Sequence, residues 1–237
     1  MNAKAQRVLI WVGLVLSIVY CYGYAYLMNF FPPPAPDMPA ADVARLYSEH
    51  NMQFRVGIAL MLVSGGFFLL WTLVISVQMA REEKGVPICA ILQALAGTLS
   101  TLIFFLPVIF WTAACFTPER DPAITLLAHE LGFLSFVTPV CVISIQLIPI
   151  AIVALSPKKD EQLTAFPRWF GYLTLWEAIA AECGVAAVLV KHGPFAWNGL
   201  FPFYLPIIVF TVWMMTLIWL MLRAITRQEA AMATVSA

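Results

Sequence analysis

The segment "FGYLTLWEAIAAECGVAAVLVKHG" at residues 170–193 decides the class of fold. It is apolar enough to cross a membrane, and yet it carries Glu177 and Glu182 inside its apolar run. A charged side chain at the centre of a bilayer costs roughly 3 kcal/mol or more unless protein or water compensates it. The two glutamates therefore mark the place where polar chemistry at membrane depth is expected.

The rest of the chain has the same apolar character. Of its 237 residues, 62% are hydrophobic and only 11% are charged, whereas a soluble domain is roughly half apolar and a quarter charged. We therefore expect one transmembrane domain over residues 1–237, in the cell (plasma or inner) membrane, with the lipid bilayer as its first partner. The formal net charge is zero, which gives no indication of nucleic-acid binding.

Six segments are long enough to form transmembrane helices, which need about 20 apolar residues to cross the hydrocarbon core. The predicted fold is accordingly all-α, a polytopic membrane helix bundle of six transmembrane helices. The segments are residues 8–31, 54–79, 87–116, 123–155, 170–190 and 201–225.

The lysines and arginines predict how this bundle is oriented. With the N-terminus placed in the cytoplasm, the inner segments carry nine of these residues and the outer segments carry four. Short cytoplasmic loops are enriched in Lys and Arg. Both termini are therefore predicted to be cytoplasmic.

A short amphipathic helix is predicted on the outer surface, over residues 37–51. Asp37 is a candidate for its N-cap, and a proline soon after is compatible with a helix start. Four residues at helical spacing form one face, which we expect to lie over the bundle. They are Val43, Leu46, Tyr47 and His50.

Several motifs resemble those of a family of bacterial six-helix multi-pass membrane proteins. The clearest are "FPRWFGYLTLWEA" and "KHGPFAWNGLFPFYLP", accompanied by "FFPPPAPD" and "FTPERDP". The resemblance extends over most of the chain. It implies a shared six-helix fold and implies nothing about catalysis.

The glutamates lead to a candidate ligand or proton site. Glu177 and Glu182 point about 140° apart on a helix, so we expect protein to surround this helix and both side chains to face the interior. No Lys or Arg lies deep in a predicted span, and the available partners are Gln93, Gln146 and hydroxyls such as that of Thr138. At least one carboxyl group is expected to be neutral. The pair either locks helix packing or serves as a proton relay, a cation site or a ligand contact.

A second group of candidates lies on the outer side. His50, His129 and His192 come from different segments, with Glu130 beside the second and Trp197 in the last outer loop. The sequence cannot show whether the histidines converge, and we assign no metal site and no catalytic residue. Trp197 is interpreted as an interfacial anchor or as part of an entry for an apolar ligand.

Three functions fit these observations. The preferred one is binding or transport of a largely apolar small molecule or lipid, with the membrane glutamates as its polar point. The second is a non-catalytic subunit or assembly factor of a larger membrane complex, and a homo-oligomer is also compatible. The third is a membrane enzyme, although few ionisable residues lie at one depth. No cofactor is indicated by any motif.

Overall fold

The computed structural model describes residues 2–236, and every regular element within that range is helical. Three short helical segments of other types interrupt or extend the α-helices: Gly23–Leu27 and Leu200–Tyr204 are π-helical, and Cys183–Val188 is a 3₁₀-helix. The α-helices are α1 (Ala3–Tyr22), α2 (Ala40–Glu49), α3 (Asn51–Ser64), α4 (Phe67–Glu82), α5 (Ile88–Ser100), α6 (Leu102–Phe116), α7 (Pro122–Val137), α8 (Val140–Leu155), α9 (Arg168–Glu182) and α10 (Leu205–Ser236).

Within residues 2–236, five helical segments are long and apolar enough to cross a membrane, as an integral membrane protein requires. They correspond to five of the six predicted segments, with boundaries shifted by up to nine residues. The sixth predicted segment, residues 170–190, forms the shorter α9 followed by the 3₁₀-helix and is not among the five. The five are Ala3–Leu27, Asn51–Glu82, Ile88–Phe116, Pro122–Leu155 and Leu200–Thr234.

Three of these long segments are broken near their middle, and in Ile88–Phe116 the break is the single residue Thr101 between α5 and α6. The other two breaks involve glycine or proline. The first break lies at Gly65 and Gly66, between α3 and α4. The second lies at Pro139, between α7 and α8, because proline has no N–H to continue a helical hydrogen-bond ladder. Such breaks are tolerated at membrane depth where protein or a cavity surrounds them, so they indicate where a site could lie.

Large aromatic side chains pack over glycines in the core. The indole of Trp71 on α4 lies directly over Gly13 of α1 and donates a hydrogen bond to the Ile10 carbonyl at 3.1 Å. Trp111 on α6 covers Gly132 of α7 in the same way. Small residues allow this close approach between membrane helices, and a side chain at either glycine would collide with the ring.

Three buried glutamines join α1, α4 and α10 at one end of the bundle. Gln78 donates a hydrogen bond to Gln6 at 2.8 Å, and Gln228 donates one to Gln78 at 2.9 Å. Nearby, Arg7 and Glu229 form an ion pair at 2.5 Å. The beginning of α1 and the later part of α10 therefore lie at the same end of the bundle, which we call the terminal end.

The predicted surface helix forms as α2. Its buried residues are Val43 and Tyr47, and it packs against α7. Two details of the prediction are wrong. Asp37 does not cap the helix and instead lies 3.5 Å from His192, and His50 is exposed at the end of the helix rather than part of the buried face.

Candidate functional site: a cavity beside Glu177

The helix that carries Glu177 lies unusually close to α8. A Cβ atom at Gly171 would press on Ala154 and Leu155 of α8. Farther along, Gly184 lies against the backbone carbonyl of Val137 at the end of α7. These glycines hold α9 and the following 3₁₀-helix along the broken fourth span and direct one face of α9 into the bundle.

Glu177 lies on this inward face. Thr174, Glu177 and Ala181 are separated by three and four residues, so they share one side of α9, and all three are buried. Glu177 is only 2% exposed, and its Oε2 atom has no hydrogen-bond partner among the residues described. The Thr174 hydroxyl one turn earlier already accepts a bond from the Trp213 indole at 2.9 Å. Glu177 therefore presents an unused polar atom to the interior.

The carboxyl group of Glu177 borders a cavity of about 120 Å³. Helices α4, α6, α7, α8, α9 and α10 all contribute to the wall, which is partly open. Apart from Glu177 and Gln146, the lining is aliphatic, aromatic or proline. Its residues are Phe68, Ile103, Phe104, Phe136, Val137, Pro139, Val140, Ile143, Gln146, Leu147, Glu177, Ala181, Pro202, Phe203, Pro206, Ile207, Phe210 and Trp213.

Gln146 is the second polar residue of the cavity, and it too has an unused donor. The side chain is 1% exposed, and its Nε2 group has no hydrogen-bond partner within residues 2–236. Nε2 lies against Gly97 of α5, which also touches Thr72, whose buried hydroxyl has no partner either. Beyond them, Gln93 accepts a hydrogen bond from Ser76 while its own Nε2 group is unpaired. A buried polar seam thus runs between α4, α5 and α8, and it meets the cavity at Gln146.

Glu182 does not join this site. It is exposed at the perimeter of the bundle, where it accepts a hydrogen bond from Ser144 on α8. Trp176 and Ile179 on the same helix are also largely exposed. The expectation that protein surrounds this helix on all sides is therefore wrong, and only Glu177 faces the interior.

Thr138 lies next to the cavity without lining it. Its hydroxyl donates to the Leu134 carbonyl of its own helix at 2.7 Å, while the neighbouring Val137 and Pro139 form part of the wall. The residues that sequence reasoning missed are the aromatic wall residues. The one feature of the sequence that could have pointed to this wall is the prolines of the last span. One of them, Pro202, lies in the π-helical turn before α10.

At the end of the bundle opposite the terminal end, Tyr47 and His129 form a buried pair. The Tyr47 hydroxyl is 3.0 Å from Nδ1 of His129, and burial raises the pKa of the Tyr47 phenol well above its usual value. Trp197 closes this region by stacking on Phe133 and donating to the Pro34 carbonyl at 2.8 Å. Trp197 therefore joins the loop that follows the 3₁₀-helix to the proline-rich segment after the first span.

The other outer candidates lie apart from this pair. His50 is exposed and stacks on the ring of Phe54, and Glu130 pairs with Lys191 at 3.0 Å. His192 belongs to the exposed loop that follows. The three histidines thus have different neighbours, and residues 2–236 contain no group of three His, Cys, Asp or Glu side chains placed to hold a metal ion.

Comparison with known proteins adds no identity: no family model, curated protein or solved structure matches the chain. The function of the cavity therefore has to be argued from its own geometry and chemistry.

Proposed function

We propose that the protein binds an apolar small molecule, or the apolar end of a larger one, with Gln146 and Glu177 as its hydrogen-bonding point. The observation that carries this proposal is that the two polar residues of an otherwise apolar cavity wall, Gln146 and Glu177, each have a buried polar atom with no partner among the described residues. A buried polar group left unsatisfied costs about 1–3 kcal/mol. A ligand that satisfies both groups recovers part of that cost on binding.

The size of the cavity limits what fits inside. An engineered protein cavity of about 150 Å³ binds benzene, whereas sites for drug-sized ligands enclose about 300–1,000 Å³. A volume of about 120 Å³ suits an apolar group about the size of one small ring. The proposed ligand class is therefore a compact apolar group carrying one hydroxyl or carbonyl. The remainder of a longer molecule would extend out of the cavity through its open side.

Phenol and benzene provide a matched pair of probes, since they differ by one hydroxyl. We expect phenol to bind the purified protein about 3–10-fold more tightly than benzene, the value of one net hydrogen bond. Glu177→Leu should remove this preference. Glu182→Leu, which removes a carboxylate from the same helix outside the cavity, should retain it. Equal binding of both probes to the unaltered protein, measured by calorimetry, would reject the proposal.

The six-crossing arrangement with both termini in the cytoplasm belongs to the same proposal. The 15 residues of α9 extend about 22 Å and the six residues of the 3₁₀-helix about 12 Å, which together exceed a hydrocarbon core of ~30 Å. The beginning of α1 and the later part of α10 meet at the terminal end through Arg7 and Glu229, and this meeting supports an even number of crossings.

A second candidate function, membership of an oligomer or larger membrane complex, is favoured by Glu182. This carboxylate and Ser144 are paired on the outside of the bundle, within the proposed fifth and fourth crossings, where exposure to lipid is costly. A neighbouring subunit would cover them. Subunit counting by photobleaching in liposomes tests this: an oligomer that Glu182→Leu dissociates supports the candidate, and a monomer in both cases rejects it.

A further inference from the structure

A separate cavity of about 210 Å³ lies at the terminal end, between the beginning of α9 and α10. The cavity can be placed at this end because Arg227 lines it, and Arg227 is adjacent in sequence to Gln228 of the glutamine cluster. The wall contains two arginines, two tryptophans and a single carboxylate, Glu161. This combination differs completely from the apolar cavity beside Glu177.

The two arginines have donors to spare. Arg223 lies over the ring of Trp219, with its guanidinium carbon 5.2 Å from the ring centre, and within residues 2–236 it makes no ion pair or hydrogen bond. Arg227 donates one bond to the Gln162 carbonyl at 3.0 Å. A guanidinium has five N–H donors in a planar fork that matches phosphate oxygens, so most of this donor capacity is unused.

Further positive charge lies on the opposite side of Pro167. A neighbouring cavity of about 200 Å³ shares Glu161, Thr164 and Pro167 with the first, and it is lined by Lys158 and Arg168. The walls of the two cavities therefore contain four cations and one carboxylate, and a second carboxylate, Glu82, interacts with Lys158 from outside the walls. The local charge is positive, although the chain as a whole has a formal net charge of zero.

The tryptophans indicate the membrane interface. Trp169 and Trp219 are 51% and 52% exposed, respectively, and exposed tryptophans gather at the level of the lipid headgroups. From this level, the exposed residues farther along α9 and α10 are largely apolar, among them Trp176 on the first helix and Met215 and Val212 on the second. A polar, positively charged recess thus adjoins a surface suited to hydrocarbon chains.

We propose that this recess binds the headgroup of an anionic phospholipid. The phosphate accepts hydrogen bonds from Arg223 and Arg227, the headgroup lies against Trp169 and Trp219, and the acyl chains follow the apolar faces of α9 and α10. Basic recesses between membrane helices at the cytoplasmic side are suited to such headgroups. The inference is independent of any ligand in the cavity beside Glu177.

Native mass spectrometry of the purified full chain in detergent tests the proposal, with palmitoyl-oleoyl phosphatidylglycerol and phosphatidylcholine as the two probes. We expect phosphatidylglycerol to bind preferentially. The double substitution Arg223→Gln with Arg227→Gln should weaken its binding about 30-fold, which is about 2 kcal/mol at 1.4 kcal/mol per tenfold change. The control is Lys4→Gln with Lys84→Gln, which removes two exposed cations outside both cavities and should change binding less than threefold.

Three results would overturn the proposal. The first is equal binding of the two lipids to the unaltered protein, a comparison that needs no variant to fold. The second is an equal loss of affinity in the double substitution and in the control. The third is displacement of phosphatidylglycerol by millimolar inorganic phosphate, because a site that recognises only the free anion would not need the apolar faces of α9 and α10.

Discussion

Gln146 and Glu177 line the same cavity from neighbouring helices, and each presents a buried polar atom that has no hydrogen-bond partner. Folding normally satisfies such atoms, because leaving them unpaired reduces the free energy of unfolding. Their presence together in an apolar wall is the relationship on which the proposed ligand site depends, and it can be tested through stability as well as through binding.

Replacing Glu177 by leucine should stabilise the empty protein. The carboxyl group has an unpaired buried oxygen, so an apolar side chain of similar size removes a desolvation cost of about 1–3 kcal/mol and leaves no described partner behind. We expect a higher thermal midpoint in detergent together with loss of the phenol preference. A large decrease in the midpoint would show that the carboxyl group stabilises the fold.

Gly97 provides a second test, because it lies where α5 meets Thr72 and Gln146. A Cβ atom there would lie 2.6 Å from both side-chain branches of Thr72, and overpacking of this kind costs about 1–3 kcal/mol. Gly97→Ala should therefore lower the free energy of unfolding.

Two further variants separate this collision from a general effect of losing a glycine. Adding Thr72→Ala to Gly97→Ala should restore most of the stability, since it removes the two closest colliding atoms and leaves only Nε2 of Gln146, at 2.9 Å. Gly66→Ala is the matched control, because nothing lies within 4 Å of a Cβ atom at that position. If Gly66→Ala is as harmful as Gly97→Ala, the collision is not the cause.

The helical spans were largely predictable because long apolar runs have few other ways to fold in lipid. Their breaks were harder, since Gly65, Gly66 and Pro139 are also tolerated inside membrane helices. The separation of Glu177 and Glu182 correctly excluded a shared face. It could not show that protein packs against the Glu177 face of the helix and leaves the Glu182 face exposed, because this depends on helices contributed by distant parts of the chain.

The Tyr47–His129 pair predicts an alkaline effect on stability. At pH 7 Tyr47→Phe should lower the free energy of unfolding by about 1 kcal/mol through loss of the hydrogen bond. Because burial raises the pKa of the Tyr47 phenol, above pH ~10 the unfolded chain releases a proton that the folded chain retains. The stability of the unaltered protein then falls with rising pH, by up to about 1.4 kcal/mol per pH unit for this group.

This pH dependence gives a measurable pH at which the unaltered protein and Tyr47→Phe are equally stable. The advantage of the unaltered protein over Tyr47→Phe should shrink above pH 10 and disappear within about one further pH unit. Other buried tyrosines affect both proteins equally, so thermal unfolding of the two side by side isolates Tyr47. A difference that stays constant from pH 7 to pH 11 would contradict this account.

Reporter fusions test the topology. Fusions after Lys84 and Lys158 should report a cytoplasmic location, because they follow the even-numbered proposed crossings. Fusions after Asp121 and His192 should report the outside. The fusions after Lys158 and His192 lie on either side of the proposed fifth crossing and test that crossing alone. If both fusions report the same location, the fifth crossing does not exist, and the other five spans are unaffected.

The glutamine cluster at the terminal end has a consequence for biosynthesis. Gln6 and Gln78 are translated well before Gln228, which bonds to Gln78 and lies 150 residues after it in the chain. Until Gln228 has been made, the first two glutamines lack their third partner, so the bundle cannot reach its final arrangement before the later part of α10 is translated. A nonsense codon at position 228 would remove Gln228 and shorten the last span, Leu200–Thr234, by seven residues, and the product should be a preferred substrate for membrane quality-control proteases.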